Sequence, residues 1–172
     1  ERKVGYPTRA VNVPIVPAAI LYDLSIGSDP TIHPTAECGY LAAQAATDQP
    51  VAEGSIGAGA GATVGKIAGL GRAMKGGIGT AMIHLENGVQ VAALMAVNSV
   101  GNIIDPDSGL PVAGVRSADG SKIVAVRDLV RDTTLLDTRT GENTTIGIVA
   151  TNTRLTKTEL AIVARMAHDG LA

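Results

Sequence analysis

The residues with the most visible chemical potential lie in Gly54-Ser-Ile-Gly-Ala-Gly-Ala-Gly-Ala-Thr-Val-Gly-Lys66, where glycines alternate with small side chains before a short helix-compatible segment ending at Gly69. A glycine-rich turn feeding a helix lets backbone N–H groups approach an anion, so phosphate binding is the first chemistry to consider. The phosphate-loop pattern fails twice. Counting back from Gly65-Lys66, Ala60 stands where the first glycine belongs, and Ile67 stands where a magnesium-binding hydroxyl belongs. Gly57, Gly59 and Ala62 satisfy the loose dinucleotide pattern, but the preceding Val51-Ala-Glu-Gly-Ser-Ile56 makes a poor strand.

Other polar residues have ordinary explanations when taken singly. Lys66 alone reads as a solvated surface lysine, Asn98 as a strand-end amide, and Tyr22 as a half-buried ring. His33, His84 and His168 have no metal-ligand spacing, and His84 is expected to be exposed beside a turn. Cys38 has no evident base, and nothing resembles a nucleophile elbow. Thr144 and Thr145 read as β-branched strand residues, yet they stand where the polar stretch Thr140-Gly-Glu-Asn143 changes abruptly to the β run Thr144–Thr151.

These residues must be positioned by a mixture of helix and strand. Residues 11 to 24 are β-branched and apolar but interrupted by Pro14 and Pro17, which predicts an edge or irregular strand. The Ala-rich run from Thr35 to Ala46 predicts a helix ending before Pro50. Asn87-Gly88 between two β-rich runs predicts a tight hairpin whose second strand Asn98 closes. Residues 105 to 111 read as a turn, and Lys122 to Val130 as a short helix or strand. Thr156 and Glu159 form a capping box, and the helix beyond it carries Leu160, Val163, Ala167 and Leu171 on one face, which calls for a sheet beneath. An antiparallel hairpin without regular strand-helix alternation places the fold in the α+β class.

The 172 residues suit one domain, and with no Phe or Trp the core must be built from Ala, Val, Ile and Leu. A net charge of −2 with scattered Lys and Arg argues against nucleic acid as a partner. The longest apolar stretches are far shorter than the ~18 to 20 residues that span a bilayer, so no membrane is expected. One cysteine rules out an internal disulfide and a cysteine-based zinc site and suits a reducing, cytoplasmic compartment. The chain opens Glu-Arg-Lys and ends inside a helical pattern, so it reads as an internal fragment.

Five motifs in order, VPIVPAAILYDL, GAGAGATVGK, GGIGTA, ALMAVNSVGNIIDP and NTTIGIVATN, resemble the self-processing aminopeptidases known as DmpA-like or P1-family peptidases. The resemblance runs over nearly the whole chain. It implies an αββα sandwich of two stacked sheets between helix layers, of the N-terminal-nucleophile-hydrolase type. It also implies self-cleavage between Asn143 and Thr144, leaving residues 1 to 143 as the end of a larger subunit and 144 to 172 as the start of a smaller one. By motif position, Thr144 matches the nucleophile, Lys66, Asn98 and Tyr22 match the supporting site, and Gly59 and Gly61 lie in the loop expected to meet substrate.

Aminopeptidase and D-esterase members of that family carry Gly-Ser at the cleavage point, whereas Asn143-Thr144 is similar to the nylon-oligomer (6-aminohexanoate oligomer) hydrolases. The implied substrate is a small peptide or amide, with no cofactor or metal, in a homo-oligomer that is a tetramer of processed heterodimers. Acidic or hydroxyl residues that family members carry further downstream would lie beyond Ala172. From a different class, the competing reading is a non-catalytic domain whose loop 54–66 binds a small anionic ligand.

Overall fold

The computed structural model describes residues 4–131 and 141–171. Along the chain come a small ribbon of β1 (Tyr6–Pro7) and β2 (Asn12–Val13), then helix α1 (Ala36–Ala45). Strands β3 (Thr63–Val64), β4 (Met74–Lys75), β5 (Gly77–His84), β6 (Gln90–Asn98), β7 (Ile103–Ile104) and β8 (Pro111–Ala113) follow. Helix α2 (Val126–Leu129), strand β9 (Thr144–Thr151) and helix α3 (Lys157–Met166) complete the order. This is mixed helix and sheet, the α+β class expected.

The organising element is a three-stranded antiparallel sheet in the order β5-β6-β9. Its hairpin turns where the sequence requires it. Leu85 N–H donates to the Val89 carbonyl at 2.8 Å and Gly88 N–H to the Leu85 carbonyl at 2.9 Å, closing the loop Glu86-Asn87-Gly88. Gly88 sits at φ +82°, a left-handed conformation that glycine takes without steric cost.

Register decides what each face of the sheet carries. Asn98 pairs with Thr144, Ala96 with Ile146 and Leu94 with Ile148, while Ile78 lies opposite Ala96 on the other side. Because side chains alternate faces along a strand, Thr144, Ile146, Ile148, Asn98, Ala96, Leu94 and Ile78 share one face. Thr145, Gly147, Val149 and Met95 take the opposite face and line a groove beneath Leu160, Val163 and Ala164 of α3 and Ala167 at its C-cap. The amphipathic helix therefore lies over the sheet as its pattern calls for. Its capping box is complete, with Thr156 Oγ1 accepting from Glu159 N–H at 3.3 Å and Glu159 Oε2 accepting from Thr156 N–H at 2.7 Å.

Elsewhere local signals hold to different degrees. α1 forms over the expected Ala-rich run, and Asp105 N–H donates to the Leu110 carbonyl at 2.9 Å to close the expected turn. Of the stretch 11 to 24 only Asn12–Val13 pairs as strand, since Pro14 and Pro17 offer no N–H to a ladder. The Lys122–Val130 stretch gives the short α2. The remaining sheets among the described residues are two-stranded ribbons, β1-β2, β3-β4 and β7-β8, so a stacked pair of large sheets is not formed within them.

The best-buried side chains gather at one end of the sheet rather than along it. Ala62, Val64, Ala96 and Val115 are buried there with the polar Lys66 and Asn98, and Ala73 and Leu129 are buried as well. Lys66 is brought in by the backbone on either side of it: Gly65 N–H donates to the Gly101 carbonyl at 2.8 Å and Ile67 N–H to the Val100 carbonyl at 3.3 Å. Gly65 itself has φ +74°, and a Cβ there would lie inside the backbone of Gly114 and Val115. We expect Gly65→Ala to cost about 2 kcal/mol or more through left-handed strain plus collision. Gly79→Ala, in β5 with open space around it, should leave stability unchanged or slightly raised. Urea midpoints of the two variants check this pair.

Candidate active site

The site grows from the pairing of the last residue of β6 with the first of β9. Asn98 is fully buried, and the carboxamide is satisfied on both sides. Its Oδ1 accepts from Lys66 Nζ at 2.7 Å, from Thr63 N–H at 3.0 Å and from Thr63 Oγ1 at 3.4 Å. Its Nδ2 donates to the Tyr22 carbonyl at 2.9 Å and, more weakly, to the Glu142 carbonyl at 3.4 Å. Donors on one side and carbonyls on the other fix which amide atom is which.

Lys66, which composition alone would send to the surface, is only 9% exposed. Its ammonium makes three hydrogen bonds, all to neutral oxygens: Asn98 Oδ1 at 2.7 Å, the Asn98 carbonyl at 3.2 Å and the Glu142 carbonyl at 2.9 Å. Burial strips hydration from the charge and pushes the lysine below its ordinary pKa, an effect the nearby Glu142 carboxylate partly offsets. A lysine so placed is a poorly solvated cation near the Asn143–Thr144 junction.

Thr144 is half-buried, and its hydroxyl donates to the Ile20 carbonyl at 2.9 Å. Thr145, one residue on, points to the α3 side of the sheet, so the register separates the two threonines that the sequence leaves side by side. Asn143 is exposed at the end of the loop. Tyr22 lines a small cleft with Asp23, Thr63, Lys66, Leu70 and Glu142, and it also supplies the backbone carbonyl that holds Asn98. The structure thus brings Thr144, Asn98, Lys66 and Tyr22 to one end of one sheet face.

The glycine loop is used differently. Gly59 is buried, its N–H is taken by the Ile56 carbonyl at 2.7 Å, and a Cβ there would stand 2.7 to 2.8 Å from the backbone of Gly77 and Ile78. A Cβ on Gly61 would collide with the Asp23 side chain. These glycines let the loop lie against β5 and the Tyr22-Asp23 segment, which is a packing need in its own right. Sequence reading missed the carbonyls of Ile20 and Glu142 and the Thr63 N–H, because a backbone atom's role leaves no trace in residue type, and it missed the Thr63 hydroxyl, which lies 35 residues from Asn98 in the chain. Among the described residues no cluster of His, Cys, Asp and Glu could hold a metal, and His33, His84 and His168 are exposed.

Asn98 invites a direct test. Asn98→Leu keeps volume but takes from the Lys66 ammonium its shortest acceptor and deprives the Thr63 N–H and the Tyr22 carbonyl of their partner, so a loss of about 2 kcal/mol or more is expected. Asn98→Asp keeps the acceptor for Lys66 while turning a donor into an anion against the Tyr22 carbonyl, and it should fall between. Denaturant midpoints that rank Leu as mild as a surface substitution would show that the network holds nothing together.

With this geometry in view, the comparison with known sequences is decisive: the profile of peptidase family S58 matches residues 3–172. The chain belongs to peptidase family S58. This is the family to which the five motifs pointed. The S58 chain is 42% identical over 174 residues to an uncharacterized aminopeptidase of Mycobacterium leprae, covering 93% of this chain and 44% of that relative. An uncharacterized aminopeptidase of Mycobacterium tuberculosis (strain H37Rv) is 40% identical over 179 residues, covering 100% of this chain and 49% of the relative. The 6-aminohexanoate-oligomer endohydrolase of Kocuria sp. (strain KY2) is 27% identical over 172 residues, 98% of this chain and 47% of the relative. The S58 chain spans about half the length of these curated relatives. Among its described residues no helix is long and apolar enough to cross a membrane.

Proposed function

We propose that this chain carries part of a self-processing amide hydrolase that cuts itself between Asn143 and Thr144 and then uses Thr144 as an N-terminal nucleophile. The observation that carries the reading is the convergence of buried Lys66 and Asn98 and half-buried Tyr22 on the loop-to-strand junction at Thr144. In the first step Thr144 Oγ adds to the Asn143 carbonyl carbon, the Asn143–Thr144 C–N bond breaks, and an ester forms as the acyl group moves from nitrogen to oxygen. Water then hydrolyses that ester, leaving Asn143 as a carboxylate and Thr144 with a free α-amine.

In turnover that amine, with an ordinary pKa of about 8, takes the proton from the Thr144 hydroxyl as the oxygen attacks a substrate amide. Lys66 lowers the amine's pKa by its charge and balances the developing oxyanion, Asn98 donates to that oxyanion, and Tyr22 orients the substrate carbonyl or the nucleophile. The loop containing Gly59 and Gly61 forms a backbone wall for the substrate. No histidine is needed, and the chemistry calls for neither metal nor cofactor.

The substrate class is a small peptide or amide. The aminopeptidase names of the two mycobacterial relatives and the oligomer-hydrolase name of the Kocuria relative set the panel: amino-acid amides, short peptides and 6-aminohexanoate oligomers. For the whole protein we propose the αββα sandwich, a cytoplasmic homo-oligomer of processed heterodimers, and no nucleic-acid or membrane partner. Intact-mass spectrometry of the full-length gene product, followed by assay on that panel, tests the reading. Two polypeptides, the smaller beginning Thr-Thr-Ile-Gly, support it; a single stable chain without amide turnover overturns it.

A further inference from the structure

The donors of the site can be counted. A lysine ammonium has three N–H bonds to give and an asparagine amide has two. Lys66 Nζ spends its three on Asn98 Oδ1, the Asn98 carbonyl and the Glu142 carbonyl. Asn98 Nδ2 spends its two on the Tyr22 and Glu142 carbonyls. While the chain is uncut, neither group has a hydrogen left for a substrate.

One acceptor is shared by both donors, and it is the Glu142 carbonyl, at 2.9 Å from Nζ and 3.4 Å from Nδ2. The other partners belong to the Asn98 network itself and to the segment at Tyr22, whereas Glu142 lies on the side of the Asn143–Thr144 bond that becomes a free end on cutting. Departure of that end would free one hydrogen on each donor, both aimed at the point the Glu142 oxygen has left. Two convergent N–H donors aimed at one point are what a carbonyl oxygen gathering negative charge requires.

We propose that the Glu142 backbone carbonyl is the built-in first occupant of the substrate-carbonyl position, and that the new end Gly141-Glu142-Asn143 competes with substrate until it withdraws. This rests on the reading of Asn143–Thr144 as the cut bond. It makes the segment a self-inhibitory element: cutting alone creates the nucleophile, and withdrawal of the carbonyl opens the donors. The Glu142 carboxylate contributes by its attraction to the Lys66 charge, which favours the occupied state.

The test uses processed, active full-length enzyme and the peptide acetyl-Gly-Glu-Asn with a free carboxyl end. Its partner is the same peptide with the Glu–Asn amide replaced by a trans-alkene, which keeps the shape and deletes the Glu carbonyl oxygen. The parent peptide should raise the apparent KM by about twofold or more at millimolar concentration with kcat unchanged, and the alkene peptide should not. No competition by the parent, or equal competition by both, overturns the proposal. A chain that never cuts at Asn143 removes the underlying reading as well, while a cut and active enzyme indifferent to the peptide removes this inference alone.

Discussion

Full-length protein with Thr144→Ala should run as one uncut polypeptide in denaturing electrophoresis and show amide turnover lowered by on the order of 10^4-fold or more. The substitution removes the attacking oxygen in both steps and with it the bond to the Ile20 carbonyl, so nothing remains to open the Asn143 carbonyl. Thr144→Ser keeps the hydroxyl and should keep measurable cutting and turnover. The sharper control is Thr145→Ala. Since the register places Thr145 on the α3 side of the sheet, its loss should leave cutting intact. A Thr144→Ala chain that still divides, or a Thr145→Ala chain that no longer does, would put the nucleophile on the other threonine and the site on the wrong face.

That contrast shows where reading the sequence stops. The hairpin at Asn87-Gly88, the turn after Asp105, the strand from Thr144 and the capping box at Thr156 are all visible as residue types at fixed short spacing, and each forms. Their causes are local. The run Val11–Leu24 has strand composition, yet Pro14 and Pro17 leave only Asn12–Val13 paired, and its contribution is two backbone carbonyls, of Ile20 and Tyr22, that hold Thr144 and Asn98. No side-chain pattern encodes such a role. The site residues Lys66, Asn98, Tyr22 and Thr144 could be named through family resemblance, and their closeness comes from the pairing of β6 with β9 and from Gly65, which has no room for a side chain. The stacked sheets implied by the family are not formed within the described residues, which supply one sheet of three strands and short ribbons.

Lys66→Met separates the energetic role of the lysine from its chemical one. Methionine approximates the stem and removes the charge, so Asn98 Oδ1 keeps the Thr63 N–H and the Glu142 carbonyl keeps Asn98 Nδ2. Relief from holding an ammonium away from water offsets the lost hydrogen bonds, and stability should change by about 1 kcal/mol or less. Cutting and amide turnover should nevertheless fall by roughly 10^2- to 10^3-fold, because no cation faces the oxyanion or the Thr144 amine. The pH dependence carries a sign that a solvent-exposed lysine would not give. Burial lowers the pKa of Lys66, so the unfolded chain holds the proton over a range where the folded one has released it. The cost of the buried charge is fully present below the lowered value and disappears as pH rises toward the ordinary lysine value of about 10.4. Wild-type stability should therefore gain on that of Lys66→Met as the pH climbs through this alkaline window, measured as the difference in urea midpoints. A difference that stays flat, together with undiminished cutting by the methionine variant, would place the ammonium in water and out of the reaction.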